Sequence, residues 1–110
     1  MTYSKGKDLT AIGDATRWSI IQRLRRRPMT VGELSQQLPV TRPAVSQHLK
    51  ILKQARLVSE RREGTRHIFN LNPEGLLDLR ACIDGLWEDA LEALSRYIAS
   101  QKRQRRKLNK

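Results

Sequence analysis

The chain has 110 residues, 38% hydrophobic and only 5% aromatic, and 22 Lys and Arg against 11 Asp and Glu give it a net charge of +11. That length suits one domain whose modest core is built from Leu, Ile, Val and Ala, so association with a second chain would add to its stability. A single cysteine, Cys82, excludes an intrachain disulfide; with no apolar signal core at the N-terminus and no apolar run near the roughly 18 residues that span a bilayer, a soluble cytoplasmic protein without membrane contact is expected.

The charge is unevenly placed. Residues 17–67 carry 12 basic and 3 acidic side chains, whereas residues 73–99 carry Arg80 and Arg96 against six acids. The last ten residues hold six basic side chains and no acid. The positive field therefore belongs to the middle of the chain and to its tail, a distribution suited to a polyanion such as nucleic acid.

Leu9, Ala11 and Ile12 suggest a short first helix that stops at Gly13. Asp14 is a good N-cap for a second helix over Ala15 to about Arg26, with Trp18, Ile21 and Leu24 on one face and Ile20 alongside. Arg25, Arg26 and Arg27 load its C-terminal end, and Pro28 blocks continuation. Thr30-Val-Gly-Glu33 reads as a capping box, followed by a short helix with Leu34 and Leu38 inward. After a break at Pro39 and Val40, Thr41 caps another helix with Pro43 in its first turn and Val45, Leu49 and Leu52 as its buried stripe. Two helices joined by so short a turn have the helix-turn-helix layout, although an ordinary helical hairpin in an all-α core reads the same way.

Leu57 to Arg62 reads as a strand, Glu63-Gly64-Thr65 as a tight turn, and Arg66 to Leu71 as the returning strand. Arg61, Arg62 and Arg66 crowd the hairpin tip, as a wing that lies along phosphates would require. A solvated edge hairpin, charged against aggregation, would carry the same residues. Asn72 caps the last helix and Pro73 opens it. Its apolar stripe runs through Leu76, Leu79, Ile83, Trp87, Ala90 and Leu94, widened by Leu77, Leu86, Leu91 and Ile98 over roughly 25 residues. That is more apolar surface than a small domain covers alone. A dimer interface is expected from Leu9 and Ile12 of the first helix and Leu79, Ile83, Leu86, Trp87, Ala90 and Leu94 of the last. Gly85 falls mid-helix, at about 1 kcal/mol relative to Ala, and suits either a close helix approach or a mild bend. Residues 1–100 form one domain in this reading, and 101–110 a basic, disordered tail that raises DNA affinity without setting sequence choice.

The segments Ala11-Ile-Gly-Asp-Ala-Thr-Arg17, Arg42-Pro-Ala-Val-Ser-Gln-His-Leu-Lys-Ile-Leu52, Leu57-Val58 and Arg62-Glu-Gly64, with Leu34, resemble the arsenic-repressor (ArsR) family of winged-helix transcription regulators. The resemblance is close over about residues 8–72 and looser over the final helix. It implies a mainly α fold with a small β-hairpin, in the order α-α-α-α-β-β-α, dimerising through its terminal helices. It also implies a homodimer on a roughly palindromic operator, usually as a repressor released by a signal.

Residues 41–54 correspond to the recognition helix. Arg42, Ser46 and Gln47, with Pro43 at the leading edge, are the expected base contacts. Arginine can bridge guanine O6 and N7, and glutamine can pair with adenine N6 and N7. Thr41, His48, Lys50 and Lys53, and Arg61, Arg62, Thr65 and Arg66 of the wing, are expected on the DNA backbone, with Arg56 a further phosphate partner. His48, next to the buried Leu49, is expected in a packing or phosphate role, with base reading as the alternative.

Many members of that family sense metals through a Cys pair on the helix before the recognition helix. Here that stretch reads Glu33-Leu-Ser-Gln-Gln-Leu38. Others bind zinc through carboxylates and histidines on the last helix, which here has no His. No transition-metal site or other cofactor is expected. Asp84, Glu88 and Asp89 read as a solvated helix face, and Cys82 as a small thiol on the interface helix rather than a redox switch. No catalytic constellation is present, so an enzyme is not expected. Double-stranded DNA and a second copy are the expected partners, with an effector or protein partner unidentified. The competing readings are a non-specific nucleoid-type nucleic-acid-binding protein and an interaction module that docks a partner on the last helix.

Overall fold

The computed structural model describes residues 10–108. Residues 10–12 are helical, and Leu9, expected in the same helix and at the dimer interface, lies outside the described residues. The elements that follow are α1 (Ala15–Arg26), β1 (Met29–Thr30), α2 (Val31–Gln37), α3 (Arg42–Gln54), β2 (Val58–Glu63), β3 (Arg66–Leu71) and α4 (Pro73–Leu108). The three strands form an antiparallel sheet in the order β1-β3-β2. Contacts divide the chain into two compact units, one ending at Leu79 and the other beginning at Arg80.

Local chemistry accounts for the helix boundaries. The Asp14 side chain accepts from Arg17 N at 3.0 Å, filling one of the donors that open α1. Thr30 and Glu33 close a reciprocal capping box at the start of α2. Thr41 Oγ1 accepts from Ala44 N at 3.3 Å to start α3. The buried face of α1 is Ile20, Ile21 and Leu24. Trp18, expected on that face, is 49% exposed, because the core lies nearer to Ile20 than a stripe through Trp18 allows.

Leu34 of α2 and Val45, Leu49 and Leu52 of α3 are almost free of solvent and meet Leu57, Val58 and Phe69 of the sheet region in one core. The short strand β1 was not expected. Met29 pairs with Phe69 and Thr30 with Ile68, on the side of β3 away from β2. Two residues are too few to show alternation, so only the pairing with β3 reveals the strand. The hairpin turn is Gly64-Thr65, with Glu63 paired to Arg66, one residue tighter than expected. Gly64 supplies φ 62° at the first turn position, as two-residue hairpins demand.

Helix α3 leaves by a turn of Schellman type. Leu57 N–H donates to Leu52 O and Arg56 N–H to Lys53 O, both at 3.0 Å. The left-handed residue in that turn, usually glycine, is Arg56, with φ 63°. A left-handed conformation costs a non-glycine residue about 1–2 kcal/mol. Gly75, in the first turn of α4, lies directly against it: a Cβ there would overlap the Arg56 carbonyl oxygen. This close approach seats the start of α4 on the exit turn of α3 and buries Leu79, which is 5% exposed, in the chain's own core. Leu79, expected at the dimer interface, is a core residue of the chain itself, and Ile12, also expected there, packs half-buried against the core.

Beyond Leu79, α4 continues to Leu108 and no described residue is buried. The disordered tail expected from Gln101 is thus helical through Leu108. Gln, Lys and Arg are good helix formers, and nothing in 101–108 breaks the pattern. The basic last turn, with Arg105, Arg106 and Lys107, also matches the negative end of the helix dipole. Among the described residues, nothing beyond the neighbouring backbone of α4 lies within 4 Å of the position a Gly85 Cβ would occupy. No helix among the described residues is long and apolar enough to cross a membrane.

Gly75→Ala is expected to destabilise the fold by about 1–3 kcal/mol or more, since a backbone carbonyl cannot yield as a side chain does. Thermal melting checks this: an unchanged midpoint would mean that the close packing of Gly75 on Arg56 is not a constraint.

Candidate nucleic-acid interface

Helix α3, expected to be the recognition helix, is pinned from within. With Val45, Leu49 and Leu52 buried, the helical period turns Arg42, Pro43, Ser46, Gln47, Lys50 and Lys53 outward, and all six are exposed. These are the residues expected on bases and phosphates. Beside them, Arg61, Arg62, Thr65, Arg66 and His67 are exposed on the β2–β3 hairpin. A crease lined by Arg42, Ser46, Glu60, Thr65, Arg66 and Phe69 separates helix from hairpin, so the two form adjacent ridges of one surface.

The cations on this surface differ in how far acids already engage them. Lys53 Nζ donates to Glu60 at 2.9 Å, which ties the helix to the hairpin. His67 Nδ1 lies 2.6 Å from the other oxygen of Glu60, and Arg62 Nη2 approaches His67 Nε2 at 3.5 Å. Arg61 pairs with Glu63 at 3.2 Å and donates to Asn70. Arg66 lies 3.6 Å from Glu33, which Arg27 also holds at 2.7 Å. Among the described residues, Arg42 and Lys50 have no acidic partner. Arg56, expected on phosphate, is engaged by Asp78 at 2.9 Å and Glu74 at 3.7 Å.

His48 is a special case. Its side chain is 21% exposed, and Arg17 Nη1 donates to its Nδ1 at 3.3 Å while Arg17 Nε donates to Ala11 O at 2.6 Å. A guanidinium only donates, so in this contact Nδ1 is the acceptor. Asp14 Oδ1 stands 4.0 Å from Nδ1. The backbone N–H of Arg17 holds the Asp14 carboxyl below its usual pKa, helped by the charge of Arg17 and opposed by desolvation. No periodicity links Arg17 to a histidine 31 residues away, so this contact is invisible before folding. The packing expectation for His48 gains a specific partner.

Along α4, Ile83, Leu86, Trp87, Leu91, Leu94, Tyr97 and Ile98 are 46–65% exposed. Ala90 lies among them and is also exposed. Cys82 is a half-buried free thiol. No three His, Cys, Asp or Glu side chains among the described residues are grouped to hold a metal ion.

Glu60 keeps its charge to lower pH than the ordinary 4.5, chiefly because Lys53 hydrogen-bonds it and secondarily through His67, against a desolvation that works the other way. A carboxyl lowered in the folded state contributes stability that is fully present above its unfolded value and is lost as pH falls through its folded one. Glu60→Gln should therefore flatten the decline in urea midpoint as pH is lowered from about 5 to about 3. An acid limb as steep as that of the unaltered chain would show that the Glu60 contacts are not stabilising.

Comparison with known proteins agrees with this geometry. Residues 14–60 match the family model described as bacterial regulatory protein, arsR family. The HTH-type transcriptional regulator Rv2034 of Mycobacterium tuberculosis is 50% identical over 91 residues, covering 83% of this chain and 85% of the relative. The transcriptional repressor SdpR of Bacillus subtilis is 38% identical over 68 residues, covering 62% of this chain and 76% of that protein. Among solved structures, the crystal structure of a possible transcriptional regulator for arsenical resistance superposes with a TM-score of 0.72 at 38% identity, over 80% of this chain and 92% of the other. The chain belongs to the arsR family of bacterial regulatory proteins and is a winged helix-turn-helix, DNA-binding transcriptional regulator.

Proposed function

We propose that the protein is a homodimeric repressor that reads an inverted-repeat operator, with Arg42, Pro43, Ser46 and Gln47 on base edges and the hairpin on the backbone or minor groove. The observation that carries this reading is the outward face of α3. It combines an acid-free arginine and lysine with Ser46 and Gln47 on a helix whose other face is fully buried. Arg42 and Gln47 have the donor geometry for guanine and adenine. Lys50 lies farther along the same face, where a point charge serves a phosphate. Thr41, His48 and Lys53 stand beside it, and Arg61, Arg62, Thr65 and Arg66 supply the wing. The acid pairs of Lys53, Arg61 and Arg66 are solvent-exposed and worth about 0–1 kcal/mol each, so phosphates can displace them. The basic end of α4, from Lys102 to Lys107, adds attraction that does not depend on sequence.

The homodimer rests on the exposed stripe of α4. Seven large apolar side chains between Ile83 and Ile98 lie in solvent on one chain. A patch of that kind on a regular helix marks an interface, and two recognition helices about 34 Å apart would then meet successive major grooves. SdpR, a relative by sequence, is named a repressor, which favours repression over activation.

Selection of bound duplexes from a random library with purified protein tests the reading. A preferred duplex is expected to bind about 10³-fold or more tightly than random DNA at fixed salt. Arg42→Ala is expected to relax preference at one base position, and Lys50→Ala to weaken every duplex alike and lower the salt slope by about one. Equal losses for Arg42→Ala on preferred and random DNA would remove it from the base contacts. For the dimer, Leu94→Glu should convert the protein to a well-folded monomer by sedimentation and cut affinity for the preferred duplex; a persistent dimer would place the interface elsewhere.

A further inference from the structure

Arg56 occupies a left-handed position at which glycine is the ordinary residue. Its backbone carbonyl is covered by Gly75, and its guanidinium reaches Asp78 at 2.9 Å and Glu74 at 3.7 Å. Glu74, Gly75 and Asp78 all belong to the first two turns of α4. The adjoining residue is held as well: Leu57 O accepts from Asn72 N at 2.9 Å, immediately before α4 begins. Backbone packing, a main-chain hydrogen bond and an ion pair thus converge on one turn, the exit from the recognition helix.

A glycine at position 56 would form the same turn without strain. What arginine adds is the side chain, and that side chain points to α4 rather than to an unpaired place on the DNA-facing surface. We infer that Arg56 is a positioning residue for DNA binding: it locks the exit of the recognition helix to the root of the dimerisation helix, and so sets how strictly the dimer discriminates half-site spacing. The inference rests on the operator-reading homodimer proposed above. In such a dimer the second recognition helix docks as an intramolecular event, and a stiff joint raises its effective concentration only where the spacing matches. A slack joint loses affinity for the matched site and tolerates the mismatched one.

The test uses the full chain with Arg56→Gly and with Asp78→Asn. Glycine accepts the φ of 63°, so Arg56→Gly removes the lock while leaving the turn able to form. In a Cys82→Ser background, Gln47→Cys and Glu88→Cys carry spin labels, and labelled chains are diluted with unlabelled ones. Both lock variants are expected to broaden the label distance distribution without lowering the melting midpoint of Arg56→Gly. On the duplex recovered by selection, both should lose about tenfold in affinity while random duplex changes by less than about twofold. Inserting two base pairs between the half-sites should cost the variants less than it costs the unaltered protein. The double variant should be no worse than either single one, because the two residues form one pair.

An unchanged distance distribution overturns the lock, and so does a broadened one with unchanged spacing discrimination. Equal losses on both duplexes for Arg56→Gly, with gains for Asp78→Asn, would instead make Arg56 a phosphate contact held back by its acid, and would overturn it too. Should the unaltered protein show no preferred duplex, the operator reading falls, and the label distribution by itself decides the lock.

Discussion

Burial of Val45, Leu49 and Leu52 is the constraint on which the rest of the molecule depends. Each is almost without solvent exposure. Fully burying such side chains contributes roughly 1.5–3 kcal/mol apiece, as an upper estimate. With a net stability of about 5–15 kcal/mol for a typical domain, losing the burial of any one of them would remove a large part of the margin. The same burial has a directional consequence. A helix fixed by one face has no freedom in what it presents on the other, so Arg42, Ser46, Gln47 and Lys50 face outward because the core faces inward.

Charge is arranged around that helix in a way that composition does not reveal. Three acids, Glu33, Glu60 and Glu63, stand among the cations of the surface and take up Arg27, Arg66, Lys53, His67 and Arg61. Glu60 does the most, since it joins the recognition helix to the hairpin through Lys53 and His67. Exposed pairs of this kind are weak, and phosphate oxygens are stronger competitors than water. The surface therefore holds its cations in order without giving up its positive field. Arg42 and Lys50, with no acid partner among the described residues, stand ready on the helix face itself.

Helix α3 is held at its flank and at its exit turn by different chemistry. Its flank is tied to α1 through the Arg17–His48 contact, and its exit turn to α4 through Arg56, Gly75 and Asp78. The helix proposed to read DNA is thereby attached both to α1 and to the first turns of α4. This is how a small core can hold a binding surface in place: the attachments are few, but they hold both its flank and its exit turn.

Much of this was legible from local residue chemistry. Asp14, the Thr30–Glu33 box, Thr41 with Pro43, and Pro73 mark helix starts by satisfying or avoiding the unpaired donors there, and such signals act within three or four residues. The period of Val45, Leu49 and Leu52 likewise determined the inward face, and with it the outward site. Contacts between distant segments had no such signature. Strand β1 exists only because β3 offers it a partner, Trp18 is exposed because Ile20 is nearer the core, and Leu79 is a core residue because Gly75 lets α4 settle on Arg56. The sequence by itself thus determined where helices begin and which faces turn inward, since caps and periodicity are short-range. Only the tertiary structure decided what holds helix α3 at its flank and its exit turn, since Arg17–His48 and Arg56–Asp78 join residues 31 and 22 positions apart that meet only once the core has closed.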